Sequence, residues 1–317
     1  MDATPRGRSG PDREDTEVGA GPREGSRLPV EVVGALACPL DGEELRQDEA
    51  GLACPRGHRF DRARQGYVTL VRRPLRHAGD SADQVARRVA IHRAGVLGAV
   101  HAAVVAEATA APLPPGLVVD LGSGPGTYLA AVLDALPSRT GLAVDVSRPA
   151  ARRAARCHPR AGALVADVWD HVPVRDRAAA LVLVVFAPRS GGEPARLLAD
   201  AGVLLVVTPG PGHLAELRQR TPALAIAAGK EREVPEALGP GLELVTSRRV
   251  TDRRTLPRAL AVDLLAMGPS GHHLDARTLD SVATGLPGAL EVTIEVDVHR
   301  LVPPTRDPLG PVPVGAG

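Results

Sequence analysis

Aromatic residues and lysine are scarce in this chain of 317 residues. Aromatics make up 2% of the sequence, as one Trp, two Tyr and two Phe, and Lys230 is the sole lysine. A hydrophobic core must therefore be built from Ala, Val and Leu, and positive charge comes almost entirely from arginine. The formal net charge of +1 gives no indication of nucleic-acid binding through overall charge.

Cysteines and long apolar runs are also lacking. Three cysteines in a chain of this length argue against a disulfide framework. No run of 18 or more apolar residues exists, so we expect no membrane span. Residues 1–27 are polar and lack an apolar signal-peptide core. This arm and the Pro/Gly-rich tail 303–317 are predicted to be disordered, and the expected compartment is the cytoplasm.

Two turns near the N-terminus carry residue types that bind metals. Cys38-Pro-Leu-Asp41 and Cys54-Pro-Arg-Gly-His58 each place a second ligand type three or four residues after a cysteine. Two such turns joined by a hairpin are typical of a zinc ribbon, in which Zn²⁺ takes four N, S or O ligands. The candidate ligands are Cys38, Asp41, Cys54 and His58. Aspartate is less usual in structural zinc sites, so two readings stay open: a zinc site, or a degenerate hairpin that holds without metal.

The segment that follows is rich in arginine. Between Arg56 and Arg93 ten arginines stand against three aspartates, with Phe60 and Tyr67 among them. This segment is either a phosphate-binding face or a solvated surface of an arginine-rich protein. Gly79 to Asp83 opens a predicted helix, with Ser81 or Asp80 as N-cap, that runs to about Ala110 with a break at Gly95.

From Leu117 the chain alternates between apolar runs and helical segments. The runs predict strands over 117–121, 141–144, 163–165, 178–185 and 202–208, and such alternation predicts a doubly wound parallel sheet. The polar–apolar alternation over 291–299 predicts an antiparallel strand near an edge. The predicted domains are a zinc-ribbon-like module over 28–75, a helical linker over 76–111, and an α/β domain over 112–302.

Three carboxylates and a glycine turn fall at the carboxyl edge of this sheet, where such folds bind ligands. Asp120 ends the first strand, Asp145 ends the second and Asp167 follows the third; Gly122, Gly124 and Gly126 permit close backbone approach. A carboxylate at Asp145 suits the two hydroxyls of a ribose, and Asp167 suits the exocyclic amine of an adenine. The pattern Asp-x-Gly-x-Gly-x-Gly resembles that of S-adenosylmethionine-dependent methyltransferases, in which these residues bind the cofactor.

The order of motifs along the chain resembles the 23S rRNA (guanine-N1)-methyltransferases of the RlmA/TlrB type. The similarity covers roughly Leu36 to Leu301. It rests on the Cys38 and Cys54–His58 turns, the Phe60–Val68 run, Gly79–Ala82 with Arg87 and Arg88, Val119–Tyr128, Gly141–Ser147, Phe186–Pro188 and Thr208–Leu217.

This resemblance implies a Rossmann-like class I methyltransferase with an N-terminal zinc module that helps to hold 23S rRNA. It implies methyl transfer from S-adenosylmethionine to N1 of a guanine in a hairpin loop, a homodimer in many members, and macrolide resistance in some. The rival functions are a small-molecule methyltransferase with a vestigial N-terminal module, and a non-catalytic zinc- and RNA-binding protein.

Two features depart from the family pattern. Asp41 stands where the family has a second cysteine, and Met267-Gly-Pro-Ser-Gly-His-His273 replaces a segment that carries aromatics. Stacking on an extruded guanine then falls to Phe186 or Tyr128, with His213, His272 or His273 as weaker candidates. Phe186 and His213 are the candidate catalytic residues. His213 is either the base for the N1 proton or only a residue at a helix start.

Overall fold

The computed structural model describes residues 27–75, 79–188, 192–220, 241–268 and 276–304. The N-terminal part consists of a short helix and small strands. These are α1 (Val30–Ala35), β1 (Arg46–Gln47), β2 (Gly51–Ala53), β3 (Arg59–Asp61) and β4 (Val68–Thr69). Strands β1, β2 and β3 pair antiparallel in that order and carry the two cysteine turns at one end.

The main sheet contains β4 and seven longer strands. They are β5 (Leu117–Leu121), β6 (Gly141–Asp145), β7 (Ala161–Val165), β8 (Ala179–Val185), β9 (Leu198–Pro209), β10 (Glu243–Pro257) and β11 (Ala289–Val302). Their order is β10-β11-β9-β8-β5-β6-β7-β4. Strands β4 to β9 are parallel, whereas β11 runs antiparallel to β9 and β10. This is the Rossmann-like class I methyltransferase fold, and the predicted antiparallel strand lies next to the edge.

Helices cover both faces of the sheet. They are α2 (Ala82–Arg93), α3 (Gly98–Ala108), α4 (Thr127–Ala135), α5 (Arg148–Ala154), α6 (Glu193–Leu197), α7 (Ala215–Arg220), α8 (Arg258–Ala266) and α9 (Ala276–Gly285). Ser81 caps α2 through a capping box with Gln84, and Gly95, at φ +69°, lies in the break before α3. Both features confirm the sequence prediction.

No single helix in the described ranges is long and apolar enough to cross a membrane. Helices α2 and α3 reach that length and apolar character only as a pair, and they are bent by 81° at their junction.

The N-terminal module shares a core with the main sheet. Val32 of α1 is fully buried and lies over Gly162 of β7, where an added Cβ would come within 3.1 Å of its methyl group. Cys38, Leu52 and Cys54 of the ribbon belong to the same buried cluster as Leu142 and Leu164 of the sheet. Strand β4 pairs directly with β7. The predicted boundary at residue 75 therefore separates segments of sequence that pack together, and the domain division stays a prediction.

Strand β10 has no counterpart in the sequence analysis. Its 15 residues are mostly exposed and include four arginines, so no apolar run marks them as a strand. Full-length pairing with β11 stabilises it. Nearly all of the predicted disordered arm and tail, with Arg76, His272 and His273, falls outside the described residues.

Candidate functional site

A cavity of about 610 Å³ opens at the carboxyl ends of the central parallel strands. Its walls include Asp120 and the glycine turn after β5, Asp145 after β6, Asp167 after β7, Phe186 after β8 and His213 after β9. The structure thus brings together the predicted cofactor residues and both catalytic candidates. Gly126 is the exception, since it does not line the cavity.

The glycine turn is held in a conformation that other residues rarely adopt. Gly122, Gly124 and Gly126 have φ values of +71°, +54° and +80°. A Cβ on Gly122 would lie 2.5 Å from the Cβ of Ala187, and one on Gly126 would lie 2.8 Å from the sulfur of Cys157. Gly122 therefore allows the turn to approach the loop after β8, and Gly126 allows α4 to pack beside Cys157.

Four buried polar atoms around this turn have no hydrogen-bond partner within the described residues. They are Asp120 Oδ2, Ser123 Oγ, Thr127 Oγ1 and the hydroxyl of Tyr128, and all four residues line the cavity. Buried polar groups without partners are costly and usually mark a ligand position. Because they surround the N-terminus of α4, these donors and acceptors fit the polar methionine part of S-adenosylmethionine.

The carboxylates of the site differ in their surroundings. Asp120 is 1% exposed, and burial, followed by the charge of Asp145, raises its pKa to about 8. Asp145 accepts hydrogen bonds from the backbone N–H of Gly124 at 2.8 Å and of Ser147 at 2.8 Å. These bonds fix the Asp145 carboxylate beside the turn, although burial raises its pKa. Asp167 accepts one from the N–H of Trp169 at 2.9 Å.

The loop before α2 closes one side of the cavity, a position that no sequence pattern indicates. Arg88 donates to Asp80 Oδ2 from Nη2 at 2.7 Å and to the carbonyl of Met267 at 2.8 Å. Its side chain crosses above Gly124, and the hydroxyl of Ser147 donates to the carbonyl of Asp80 at 2.6 Å. The Gly79–Ala82 motif is part of the family resemblance and so singles out this loop. No spacing rule, however, relates residue 80 to residue 147.

Two histidines form a second unforeseen feature. His92 and His101 meet through Nδ1 and Nε2 at 2.9 Å, and the ring of His101 stacks on Tyr128 with centroids 4.3 Å apart. Burial, aided by His101 and Arg88, lowers the pKa of His92 to about 3, so the pair is neutral near pH 7. His92, Leu97 and Tyr128 line the cavity, and His101 supports this wall by stacking on Tyr128.

Phe186 and His213 lie at the opposite end of the cavity from Asp167. Their ring centroids are 5.8 Å apart and tilted by 35°. Phe186 has a left-handed backbone, at φ +53°, and lines the cavity directly after β8. The Nδ1 atom of His213 accepts a hydrogen bond from the backbone N–H of Glu295 at 3.3 Å. This end offers an aromatic face and an imidazole to a second substrate.

The four predicted zinc ligands come together at the tips of the ribbon. The ligand atoms of Cys38, Asp41, Cys54 and His58 all lie within 4.8 Å of one another. The sulfurs of Cys38 and Cys54 lie 3.5 and 3.4 Å from His58 Nδ1, and Asp41 Oδ2 lies 3.4 Å from Cys54 Sγ and 3.0 Å from His58 Nδ1. Tetrahedral zinc with ordinary bond lengths would give edges of roughly 3.3–3.8 Å. The donor set therefore fits zinc, with Asp41 as the fourth ligand.

The arginine-rich segment is divided between paired and unpaired side chains. Arg87 pairs with Asp83 and Asp263, and Arg88 pairs with Asp80, so these two hold α2 in place. Arg72 pairs with Asp170 beside the indole of Trp169, which is 60% exposed. Among the described residues, the exposed arginines of this segment without a hydrogen bond or a close ion pair are Arg56, Arg64, Arg73 and Arg93, and Arg73 lies near the carboxylate of Asp170.

Solved structures of low sequence identity resemble the chain. One is the methyltransferase in a complex with the Haloferax volcanii Trm112 activator, at 16% identity and a TM-score of 0.43, covering 70% of this chain and 95% of that one. Another is a SAM-dependent methyltransferase from Thermotoga maritima, at 14% identity and a TM-score of 0.38, covering 70% and 99%.

Sequence relatives are much closer. A zinc-ribbon family model described as "RlmA, N-terminal" matches residues 36–77. The 23S rRNA (guanine(748)-N(1))-methyltransferase of Streptomyces fradiae is 44% identical over 267 residues, which cover 84% of this chain and 95% of that protein. A protein of Micromonospora griseorubida, provisionally named a 23S rRNA (guanine-N(1)-)-methyltransferase, is 42% identical over 84% of this chain and 97% of its own. The chain therefore belongs to the 23S rRNA (guanine-N1)-methyltransferase family.

Proposed function

We propose that this protein transfers the methyl group of S-adenosylmethionine to N1 of a guanine in a hairpin loop of 23S rRNA. The observation that carries the proposal is the single cavity in which a cofactor end and an acceptor end adjoin. Asp167, Asp145 and the unpartnered polar atoms after β5 occupy one end, and Phe186 and His213 occupy the other. S-adenosylmethionine supplies an electrophilic methyl group, and the chain supplies placement of the acceptor nitrogen against it.

The proposed role of each cofactor residue follows from sheet order. Neighbouring strands lie ~4.8 Å apart, so the carboxyl edge forms a row from β7 through β6 and β5 to β8 and β9. Asp167 would meet adenine, Asp145 the ribose hydroxyls, and Asp120 with the glycine turn the methionine part. The loop from Phe186 to Pro188 would then face the methyl group.

The rRNA would be held partly by the unpaired arginines. Arg56 and Arg64 lie on the ribbon, and Arg73 follows β4 beside the exposed indole of Trp169. Arginine side chains that neutralise phosphates give binding that weakens steeply with salt. Zinc at Cys38, Asp41, Cys54 and His58 would fix the ribbon turns that present them. We further propose a cytoplasmic location with the ribosome, and keep the homodimer and macrolide resistance as predictions from the family resemblance.

The decisive experiment is mass mapping of methylated guanines in 23S rRNA treated with purified protein and S-adenosylmethionine. We expect one N1-methylated guanine, lost in Asp145→Ala because the ribose hydroxyls lose their acceptor. Asp200→Ala is the matched control, since Asp200 is 75% exposed and pairs with Arg177 outside the cavity. Methylation of a small molecule in place of rRNA, or unchanged cofactor affinity in Asp145→Ala, would contradict the proposal.

A further inference from the structure

The loop that carries His213 is hydrogen-bonded to β11, first of all at Glu295. The backbone N–H of Gly210 donates to the Glu295 carbonyl at 2.9 Å, and that of Gly212 donates to Glu295 Oε1 at 2.8 Å. A Cβ on Gly210 or Gly212 would lie 2.7 or 3.0 Å from the same carboxylate. Both glycines therefore allow the loop to approach Glu295 closely.

Leu214, the residue directly after His213, is also hydrogen-bonded to β11. Leu214 has a left-handed backbone, at φ +54°, and its N–H donates to the carbonyl of Thr293 at 2.8 Å. The N–H of His213 donates to the carbonyl of Gly210 at 3.0 Å. His213 is thus held in one position by bonds on both sides of it.

The hydrogen bond from the Glu295 backbone to the His213 ring also determines which ring nitrogen of His213 carries the hydrogen. The backbone N–H of Glu295 can only donate, so Nδ1 accepts, and the hydrogen of a neutral ring is on Nε2. Burial lowers the pKa of His213 to about 4, so the ring is neutral near pH 7. Within the described residues Nε2 has no hydrogen-bond partner, and the ring lines the acceptor end of the cavity.

We propose that His213 is a catalytic hydrogen-bond donor, through Nε2–H, to O6 of the target guanine, and that it is not the base for the N1 proton. This inference rests on the proposed function. As guanine N1 loses its proton to water, negative charge develops on O6, where a fixed donor stabilises it. N1 then bonds to the methyl carbon, the C–S bond breaks, and its electron pair returns to the sulfonium sulfur, which becomes a neutral thioether. The product guanine is neutral.

Glu295 has a positioning role in this arrangement. Its backbone N–H fixes the tautomer of His213, and its carboxylate holds Gly212 at the start of the loop. A protein donor placed against O6 also favours guanine over adenine. Adenine carries an amine, itself a donor, at that position. His213 therefore contributes to base specificity as well as to rate.

Two substitutions separate a donor from a base. In His213→Gln the distal amide can donate near the position of Nε2 but cannot take up a proton at neutral pH. In His213→Asn the shorter amide can still accept from the Glu295 N–H but offers no distal donor. Single-turnover methylation of a 23S rRNA hairpin should stay within about tenfold of wild type for His213→Gln and fall about 100-fold for His213→Asn.

A second readout is independent of activity. Long-range ¹H–¹⁵N NMR spectra of the protein should show His213 as the Nε2–H tautomer between pH 6 and 8. Equal loss of rate in His213→Gln and His213→Asn, or an Nδ1–H or doubly protonated ring, would overturn the assignment. If wild type methylates no guanine at N1, the proposed function fails, and the O6 contact fails with it. If wild type is active and only the variant pattern is wrong, the inference alone fails.

Discussion

At the residue scale, the site is defined by polar groups that the protein itself leaves unsatisfied. Asp120 is buried at the end of β5, and its Oδ2 has no partner among the described residues. A carboxyl group in that setting is neutral near pH 7 because burial raises its pKa to about 8. A cationic ligand would reverse that preference, since an ionised carboxylate would then have a partner.

Cofactor affinity should therefore depend on pH through Asp120. Below pH 8 the free protein must release a proton from Asp120 when a cation binds, so affinity for S-adenosylmethionine should rise with pH, by up to about tenfold per pH unit, and level off above pH 8. Titration calorimetry in buffers of different ionisation enthalpy measures the released proton. Asp120→Asn should abolish the release; a release that persists in this variant would show that another group titrates.

His92 should make the protein sensitive to acid. Its folded pKa of about 3 is below the ordinary 6.5, so the unfolded chain binds more protons between these values, and stability falls as pH falls through that window. For this one group, the loss in free energy of unfolding is at most about 1.4 kcal/mol per pH unit. Urea unfolding at pH 7.5 and 5 should show a smaller loss for His92→Phe than for wild type. His171→Gln, at an exposed site, is the control, and an unchanged loss in His92→Phe would refute the assignment.

At the element scale, the loop before α2 decides the shape of the cavity. The Ser147 hydroxyl, just after β6, donates to the carbonyl of Asp80 in this loop. Arg88 donates to the Asp80 carboxylate and fixes the loop from the side of α2. Gly79 has φ +66°, and a Cβ there would lie 2.7 Å from Val146 Cγ1 and 2.9 Å from Ser147 Cβ. Only glycine allows this approach, so the position of α2 depends on a residue outside the helix.

Gly79→Ala should weaken cofactor binding more than it destabilises the fold. The new methyl group would push the loop away from Val146 and Ser147 and move Asp80 and Arg88 off the glycine turn. Gly95→Ala is a matched control, because φ is +69° there but no atom lies within 4 Å of the added Cβ. Both variants should lose about 1–2 kcal/mol of stability from the left-handed backbone. Equal cofactor affinity of the two variants, measured by calorimetry, would contradict this role.

At the scale of the whole molecule, the zinc ribbon and the methyltransferase sheet are parts of one structure. Cys38 and Cys54 are buried in the cluster that also contains Leu142 and Leu164, and β4 extends the main sheet. Arg175, after β7, pairs with Glu44 of the ribbon at 3.2 Å. Loss of the ribbon would therefore expose one face of the sheet, and the effect of metal should reach beyond the ribbon.

Zinc removal should lower the thermal stability of the full chain. Cys54→Ser should reduce bound zinc below one per chain and lower the unfolding temperature, because metal binding and folding of the turns are coupled. Cys157→Ser is the matched control and should keep one zinc. Cys157 packs beside Gly126, just before α4, and is not one of the four candidate ligands. Elemental analysis with calorimetry measures both quantities. A wild type that is metal-free and equally stable after chelation would refute the zinc assignment.

The sequence by itself determined the parallel strands and placed the candidate cofactor residues at their ends. Strands β5 to β8, and β9 from Gly202 onward, are rich in Val, Leu and Ala and buried on both sides, so the pattern within each strand suffices to identify it. Asp120, Asp145 and the glycine turn follow from their position at strand ends. The four candidate zinc ligands also follow from local spacing, because each turn brings two of them together within five residues.

Only the tertiary structure decided the rest. Strand β10 depends on pairing with β11, and its own residues are largely polar. The contacts of Arg88 with Met267, and of His213 with Glu295, join residues 179 and 82 positions apart, which no local pattern relates. The tautomer of His213 is fixed by a backbone N–H of a distant strand. Elements that bury their own apolar faces are determined locally, whereas the position of the loop before α2 and the acceptor end of the cavity depend on contacts between separate elements.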